Sequence, residues 1–172
     1  MNFKLKTLSP EAVARCLAKA ERYRLLNEPS EAESICLDVL AVDAGNQTAR
    51  ITLLLALTDQ FGKGDGGSME QANRVLARLR GEYEHAYYAG VIHERWGKAQ
   101  LRSGSHHGLA SGFFAEAMRW YEKAMASSPS GNDDAILRWN ACVRFLEQNP
   151  QLGIDVGEDA SESGFPDGAP AR

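Results

Sequence analysis

The residues of this 172-residue chain whose types and spacing could do chemistry are four histidines, three cysteines and one glycine-rich run. His93-Glu94-Arg95-Trp96-Gly97 begins like the HExxH helix of a zinc hydrolase, where two histidines one turn apart hold the metal and the glutamate is the base, but Gly97 stands where the second histidine should be. His85 lies near the same helix face and could start a two-histidine site, yet nothing supplies an obvious third ligand, so a histidine that is exposed or lines a groove is the plainer reading. Gly62, Gly64 and Gly67 spell GxGxxG, but no strand precedes them, and the dinucleotide-binding context is missing; the run reads as a flexible turn. His106-His107 falls in a Gly/Ser loop, where polar histidines need no special account, and no GxSxG nucleophile elbow occurs. Cys16, Cys36 and Cys142 form no CxxC pair, and each sits in an apolar helical stripe, as small buried hydrophobes do in a reducing compartment. The expectation is a non-enzyme of the cytoplasm with no catalytic residue, no metal and no cofactor.

Charge narrows the partners. The body, residues 1–150, holds eighteen basic and eighteen acidic residues, and the whole net charge of −4 sits in residues 151–172. A neutral body argues against nucleic acid and against anionic membranes, both of which select an excess of Lys and Arg on one face, although a local basic patch stays open. No apolar run is long enough for a membrane span, and no apolar stretch follows Lys4 and Lys6 as a signal peptide would require.

The elements that must position any site read as helices throughout, because alternating strand patterns are almost absent. The first helix starts at Ser9-Pro10-Glu11, carries Val13, Cys16, Leu17, Ala20 and Tyr23 on one stripe, and stops near Asn27-Glu28-Pro29. Ser30-x-x-Glu33 reads as a capping box opening the second, and Ser68-x-x-Gln71 as another opening the fourth. The third, with Ile51, Leu53, Leu54, Leu55 and Leu57, is apolar on several sides and should be central. The fifth spans about 82–102. The sixth follows a loop over 103–108 and carries Phe113, Phe114, Ala117 and Tyr121; the seventh runs from a capping Asn132 to about Asn149. Residues 151–172, rich in Gly, Pro, Ser and acid without periodicity, read as a disordered tail to a helical domain over 1–150.

The second, fourth and sixth helices repeat one spacing: Ala32-x3-Cys36-x2-Val39, Ala72-x3-Leu76-x2-Leu79 and Ala117-x3-Tyr121-x2-Ala124, the last followed by Pro129. This resembles the tetratricopeptide repeat, a helix-turn-helix unit of about 34 residues with the pattern W-x2-L-G-x2-Y…A-x3-F…P. The resemblance covers about residues 10–148 as three degenerate repeats and a closing helix. It rests on the second helix of each unit; of the first-helix pattern, only Ala20 and Tyr23 fit. Its spacing also departs, with Ala32 to Ala72 at 40 residues and Ala72 to Ala117 at 45, the excess falling in the two Gly-rich loops and a long fifth helix.

The resemblance implies an all-α solenoid of helix pairs in a right-handed superhelix, whose first helices line a concave face that takes a peptide or partner protein. On that face it places Glu21 and Arg24 from the first helix, and Thr52, Leu55 and Asp59 from the third. His93 and Trp96 on the fifth and Asn140 and Arg144 on the closing helix complete the set, with Trp96 as aromatic anchor, unless that ring packs between repeats instead. Arg138 is a further candidate for the edge of the closing helix. The Lys/Asn clamp with which one family subgroup grips C-terminal carboxylates is not found, which disfavours chaperone-tail binding. The alternative to an adaptor is a structural or regulatory subunit whose apolar helix faces make a homodimer or join an enzyme complex.

Overall fold

A computed structural model describes residues 3–63, 68–104 and 107–153. Gly64 and Gly67 of the glycine-rich run, His106 of the second loop, and the acidic stretch from residue 154 onward lie outside these, and the readings made of them stand where the sequence left them. Among the described residues there are seven α-helices and no strand: α1 Val13–Leu25, α2 Pro29–Val42, α3 Gln47–Asp59, α4 Met69–Leu76, α5 Glu82–Arg102, α6 His107–Ala126 and α7 Asp134–Glu147. A 3-10 turn, Pro10–Ala12, leads into α1, and another, Pro150–Leu152, follows α7.

Links of a few residues join α1 to α2 and α2 to α3, so consecutive helices run back along one another. Each helix packs on its neighbours in sequence, and α1 also touches α3, and α3 touches α5. The odd-numbered helices α1, α3 and α5 therefore adjoin one another along the layer. α3 is central as its composition required, burying Leu53, Leu54, Ala56 and Leu57. The repeated positions all face inward: Ala32, Cys36 and Val39 on α2, Ala72, Leu76 and Leu79 at α4, and Ala117, Tyr121 and Ala124 on α6 are buried.

α5 and α6 approach closely at two glycines. A Cβ on Gly90 would sit 2.5 Å from Cε1 of Tyr121, and one on Gly97 would sit 3.2 Å from Cε2 of Phe114. Two glycines seven residues apart on α5 thus receive two rings seven residues apart on α6.

Several termini differ from expectation. Ser68 and Gln71 form the reciprocal capping box, with bonds of 3.1 and 2.8 Å. Ser30 and Glu33 do not: α2 begins one residue earlier at Pro29, whose fixed φ suits the first helical position, so Ser30 lies inside the helix. Glu33 instead accepts a 2.7 Å bond from Gln60 Nε2. Asn132 stands two residues before α7, where its Oδ1 accepts from the Asp134 amide at 3.0 Å and from the Tyr83 hydroxyl at 3.2 Å. α6 already begins at His107, so the last two residues of the loop expected over 103–108 are helix. Regular structure also runs two residues into the stretch read as tail, where Leu152 is buried against α6 and α7.

Candidate functional site

α1, α3 and α5 meet at one end in a hollow of about 390 Å³. Arg24 and Leu25 come from the last turn of α1, Thr58 and Asp59 from the last turn of α3, and Arg95, Lys98 and Arg102 from one stripe of α5. Asn27 and Lys63, from the turns after α1 and α3, complete the wall. Five cations thus surround one lining carboxylate.

That carboxylate is shared. Asp59 Oδ2 accepts a 2.8 Å bond from Arg24 Nε, and Oδ1 accepts from Arg95 Nη1. Arg95 also donates to Thr58 Oγ1 at 2.7 Å and to the Leu55 carbonyl at 3.3 Å. Asp59, in the last turn of α3, therefore ties α1 and α5 to α3. Lys63 donates to the neutral Oδ1 of Asn27 at 3.0 Å. No ion-pair partner of Lys63 or Arg102 occurs among the described residues, and both side chains are exposed. Leu25, 83% exposed, adds an apolar rim.

Lys98 links the hollow to a buried network behind it. Its Nζ donates to Glu94 Oε1 at 2.6 Å, and the Tyr121 hydroxyl donates to Oε2 at 2.6 Å. Arg138 Nη1 lies 3.5 Å from the same carboxylate, which is 1% exposed. Burial pushes the Glu94 pKa up, but the bonds from Lys98 and Tyr121 and the charges of Lys98 and Arg138 outweigh it and hold the carboxyl below its usual value. Glu94 is thus a buried carboxylate paired with Lys98, Tyr121 and Arg138.

Of the sequence-derived site residues, the structure brings together Arg24 and Asp59. Glu21 is exposed one turn back on α1, and Thr52 is half-buried two turns back on α3. The Leu55 side chain packs against the buried cluster that includes Val91, Phe114 and Tyr121, and its carbonyl accepts from Arg95 at the site. Trp96 is half-buried edge-on against Phe61, with ring centroids 5.0 Å apart, so it packs between α3 and α5 and does not line the hollow. His93 turns to α6, its ring 6.2 Å from Phe113 and its Nδ1 buried without a hydrogen-bond partner. Burial lowers the His93 pKa, partly countered by the Glu116 charge. His85 also faces α6, beside Trp120 at 6.0 Å, so both histidines of the fifth helix are occupied in packing. Asn140 and Arg144 share a separate shallow hollow with Val143 and Glu147. Arg138 is not an edge residue, because the buried Glu94 draws it inward.

Arg95, Lys98 and Arg102 were not among the sequence candidates. Their spacing of three and four residues, one basic stripe on a helix, is the signal that could have found them. A second hollow of about 460 Å³ lies between α2, α3 and α4, lined by Leu37, Leu40, Leu53 and Val75 among others. Its one carboxylate, Glu33, is engaged by Gln60. Cys36 and Cys142 are buried, and burial pushes both thiols up to about 12, whereas Cys16 is half-buried. Compared with known proteins, the chain matches no family model, no curated protein and no solved structure.

Proposed function

We propose that this chain is a non-enzymatic protein–protein interaction module, an adaptor or scaffold of the cytoplasm. It is built from degenerate tetratricopeptide-like helix pairs and takes a peptide or partner segment in the hollow between α1, α3 and α5. The observation that carries the reading is the meeting of Arg24, Asp59 and Arg95 from three odd-numbered helices, with Lys98, Arg102 and Lys63 beside them. Asp59 fixes two guanidinium groups in place. Their remaining N–H donors, with the less committed Lys63 and Arg102, suit the carbonyls and carboxylates of an extended chain. The repeat reading draws on the equal spacing of three inward-facing positions on α2, α4 and α6. The non-enzymatic reading draws on two thiols held protonated by burial and on His85 and His93, which pack against rings of α6.

The test is selection of peptides from a random phage-displayed library on the immobilised full chain, repeated on Lys63→Gln/Arg102→Gln, whose two positions are exposed. Selected peptides should bind the double variant at least roughly fivefold more weakly, about one kcal/mol, as for contacts at a binding centre. Peptides that bind both proteins equally would place the binding surface elsewhere.

One observation favours a second reading, a subunit that pairs with itself or joins an enzyme complex. Ile136 and Leu137 on α7 are exposed, Leu137 at 65%. A dimer at low micromolar concentration in sedimentation that Leu137→Glu disperses would support it; a monomer would not.

A further inference from the structure

Arg24, Lys63, Arg95, Lys98 and Arg102 line the hollow against Asp59 alone, with Glu94 beneath Lys98. Five cations against these two carboxylates leave an excess of three positive charges in a chain whose residues 1–150 are neutral overall. The matching excess of acid is in the same chain. Residues 154–159 read Ile-Asp-Val-Gly-Glu-Asp, and Glu162 and Asp167 follow. Apolar Ile154 and Val156 flank the first acid, as the exposed Leu25 flanks the cations.

Position agrees with charge. The described chain ends at Gly153, directly after Leu152, which is buried in the cluster that Phe145 packs against. The Phe145 ring carries Lys98 Nζ 5.2 Å from its centroid. The acidic stretch therefore follows directly on a residue buried in the cluster against which the ring under Lys98, a lining residue, also packs. Six residues in extended form reach about 20 Å, enough to cross a hollow of this size.

We propose that the hollow is a seat for acidic polypeptide segments with interleaved apolar residues, and that residues 154–172 of this same chain occupy it until a partner segment of like composition displaces them. This rests on the hollow being the ligand surface and adds the chemistry of the ligand and its regulation. Polypeptide fits better than nucleic acid because the rim is aliphatic, and none of the lining residues is an aromatic ring for bases to stack on. Binding driven by this charge weakens with salt.

The test uses the full chain and two readouts. In the first, a water-soluble carbodiimide couples carboxylates to amines in an equal mixture of unlabelled and 15N-labelled chains, and mass spectrometry assigns the links. In the second, a synthetic peptide of residues 154–167 is titrated onto wild type and onto a variant carrying Asp155→Asn, Glu158→Gln, Asp159→Asn, Glu162→Gln and Asp167→Asn. The proposal expects links from Asp155, Glu158 or Asp159 to Lys63 or Lys98 within one chain, lost near 1 M salt where the Debye length is about 3 Å. It also expects the neutralised variant to bind the peptide at least about threefold more tightly than wild type, because its hollow is vacated. Links only between differently labelled chains would overturn occupancy in cis. Equal peptide affinity for both proteins, without links, would overturn self-occupancy and leave the hollow as a peptide site. Failure of both proteins to bind the peptide would overturn the acidic-ligand chemistry, and peptides selected as above would then show whether the hollow binds anything. A single-stranded oligonucleotide of equal charge that abolishes the links at lower concentration than the peptide would mark a nucleic-acid site and refute the proposal.

Discussion

Gly90→Ala is expected to destabilise the protein although it places a better helix former inside a helix. The new methyl carbon would lie 2.5 and 2.6 Å from Cε1 and Cδ1 of Tyr121, about 1 Å inside ordinary contact. The Tyr121 ring is fully buried, and its hydroxyl is bonded to Glu94 at 2.6 Å, so it has no free direction of retreat. Overpacking a core costs about 1–3 kcal/mol. Loosening a hydrogen bond to a buried charged group adds roughly 1.5–3 kcal/mol if the bond is lost. Ala over Gly in a helix returns about 1 kcal/mol. The net loss is about 2–4 kcal/mol, which lowers Tm by roughly 5–15 °C for a chain of this size. Gly112→Ala is the internal control: Gly112 lies in α6 with no atom within 4 Å of its Cβ position, and that change should raise stability by about 0.5–1 kcal/mol. Urea unfolding followed by circular dichroism measures both. If Gly90→Ala were as stable as wild type, or the two changes had the same sign, Tyr121 would not lie on Gly90 and the α5–α6 packing would be wrong.

Three further outcomes follow from the buried groups. Glu94 has a pKa below its unfolded value of 4.5, so its pairing stabilises the fold above about pH 4.5 and is lost as pH falls through the lower folded value. Glu94→Gln should therefore cost about 3–5 kcal/mol at neutral pH, as for a broken buried pair, and flatten the acid limb of a stability–pH curve; an unchanged limb would contradict the pairing. Asp59→Asn leaves Arg24 and Arg95 without their shared carboxylate and should cost about 1–2 kcal/mol, discounted for partial exposure, in the same unfolding assay. Titration with an aromatic disulfide reagent under native conditions should show Cys16 reacting first, with Cys36 and Cys142 reacting only on unfolding, since burial raises both thiols to about 12.

What the sequence allowed to be read follows from which signals are local. Helix identity, the central place of α3 and the box at Ser68-Gln71 depend on periodicity and on residues three apart, and these appear in the structure. The box at Ser30-Glu33 has the same spacing and fails because Pro29, one residue earlier, takes the first helical position. Of the five residues that the repeat resemblance places on the ligand face of the first and third helices, Arg24 and Asp59 line the hollow, because each sits in the last turn of its helix where α1 and α3 meet α5. α5 was different. It buries Ala89, Val91, Ile92, Glu94 and Gly97 on more than one side, so no single apolar stripe set its register. The repeat resemblance places His93 and Trp96 on the ligand face, whereas their neighbours Arg95 and Lys98 line the hollow. Glu94 looked like a remnant of a zinc motif. Its partners, Tyr121 and Arg138, are 27 and 44 positions away, and only the folded arrangement of α5, α6 and α7 brings them to it.

The central claim, that the hollow between α1, α3 and α5 is the ligand surface, is tested most directly by amide chemical-shift mapping. A peptide from the phage selection would be titrated onto the 15N-labelled full chain. The account predicts the largest shifts at Arg24–Asn27, Thr58–Lys63 and Arg95–Arg102, with little change along the outer faces of α2, α4 and α6. Shifts centred on Leu37, Leu40 and Val75, or on Asn140 and Arg144, with the hollow unmoved, would contradict it.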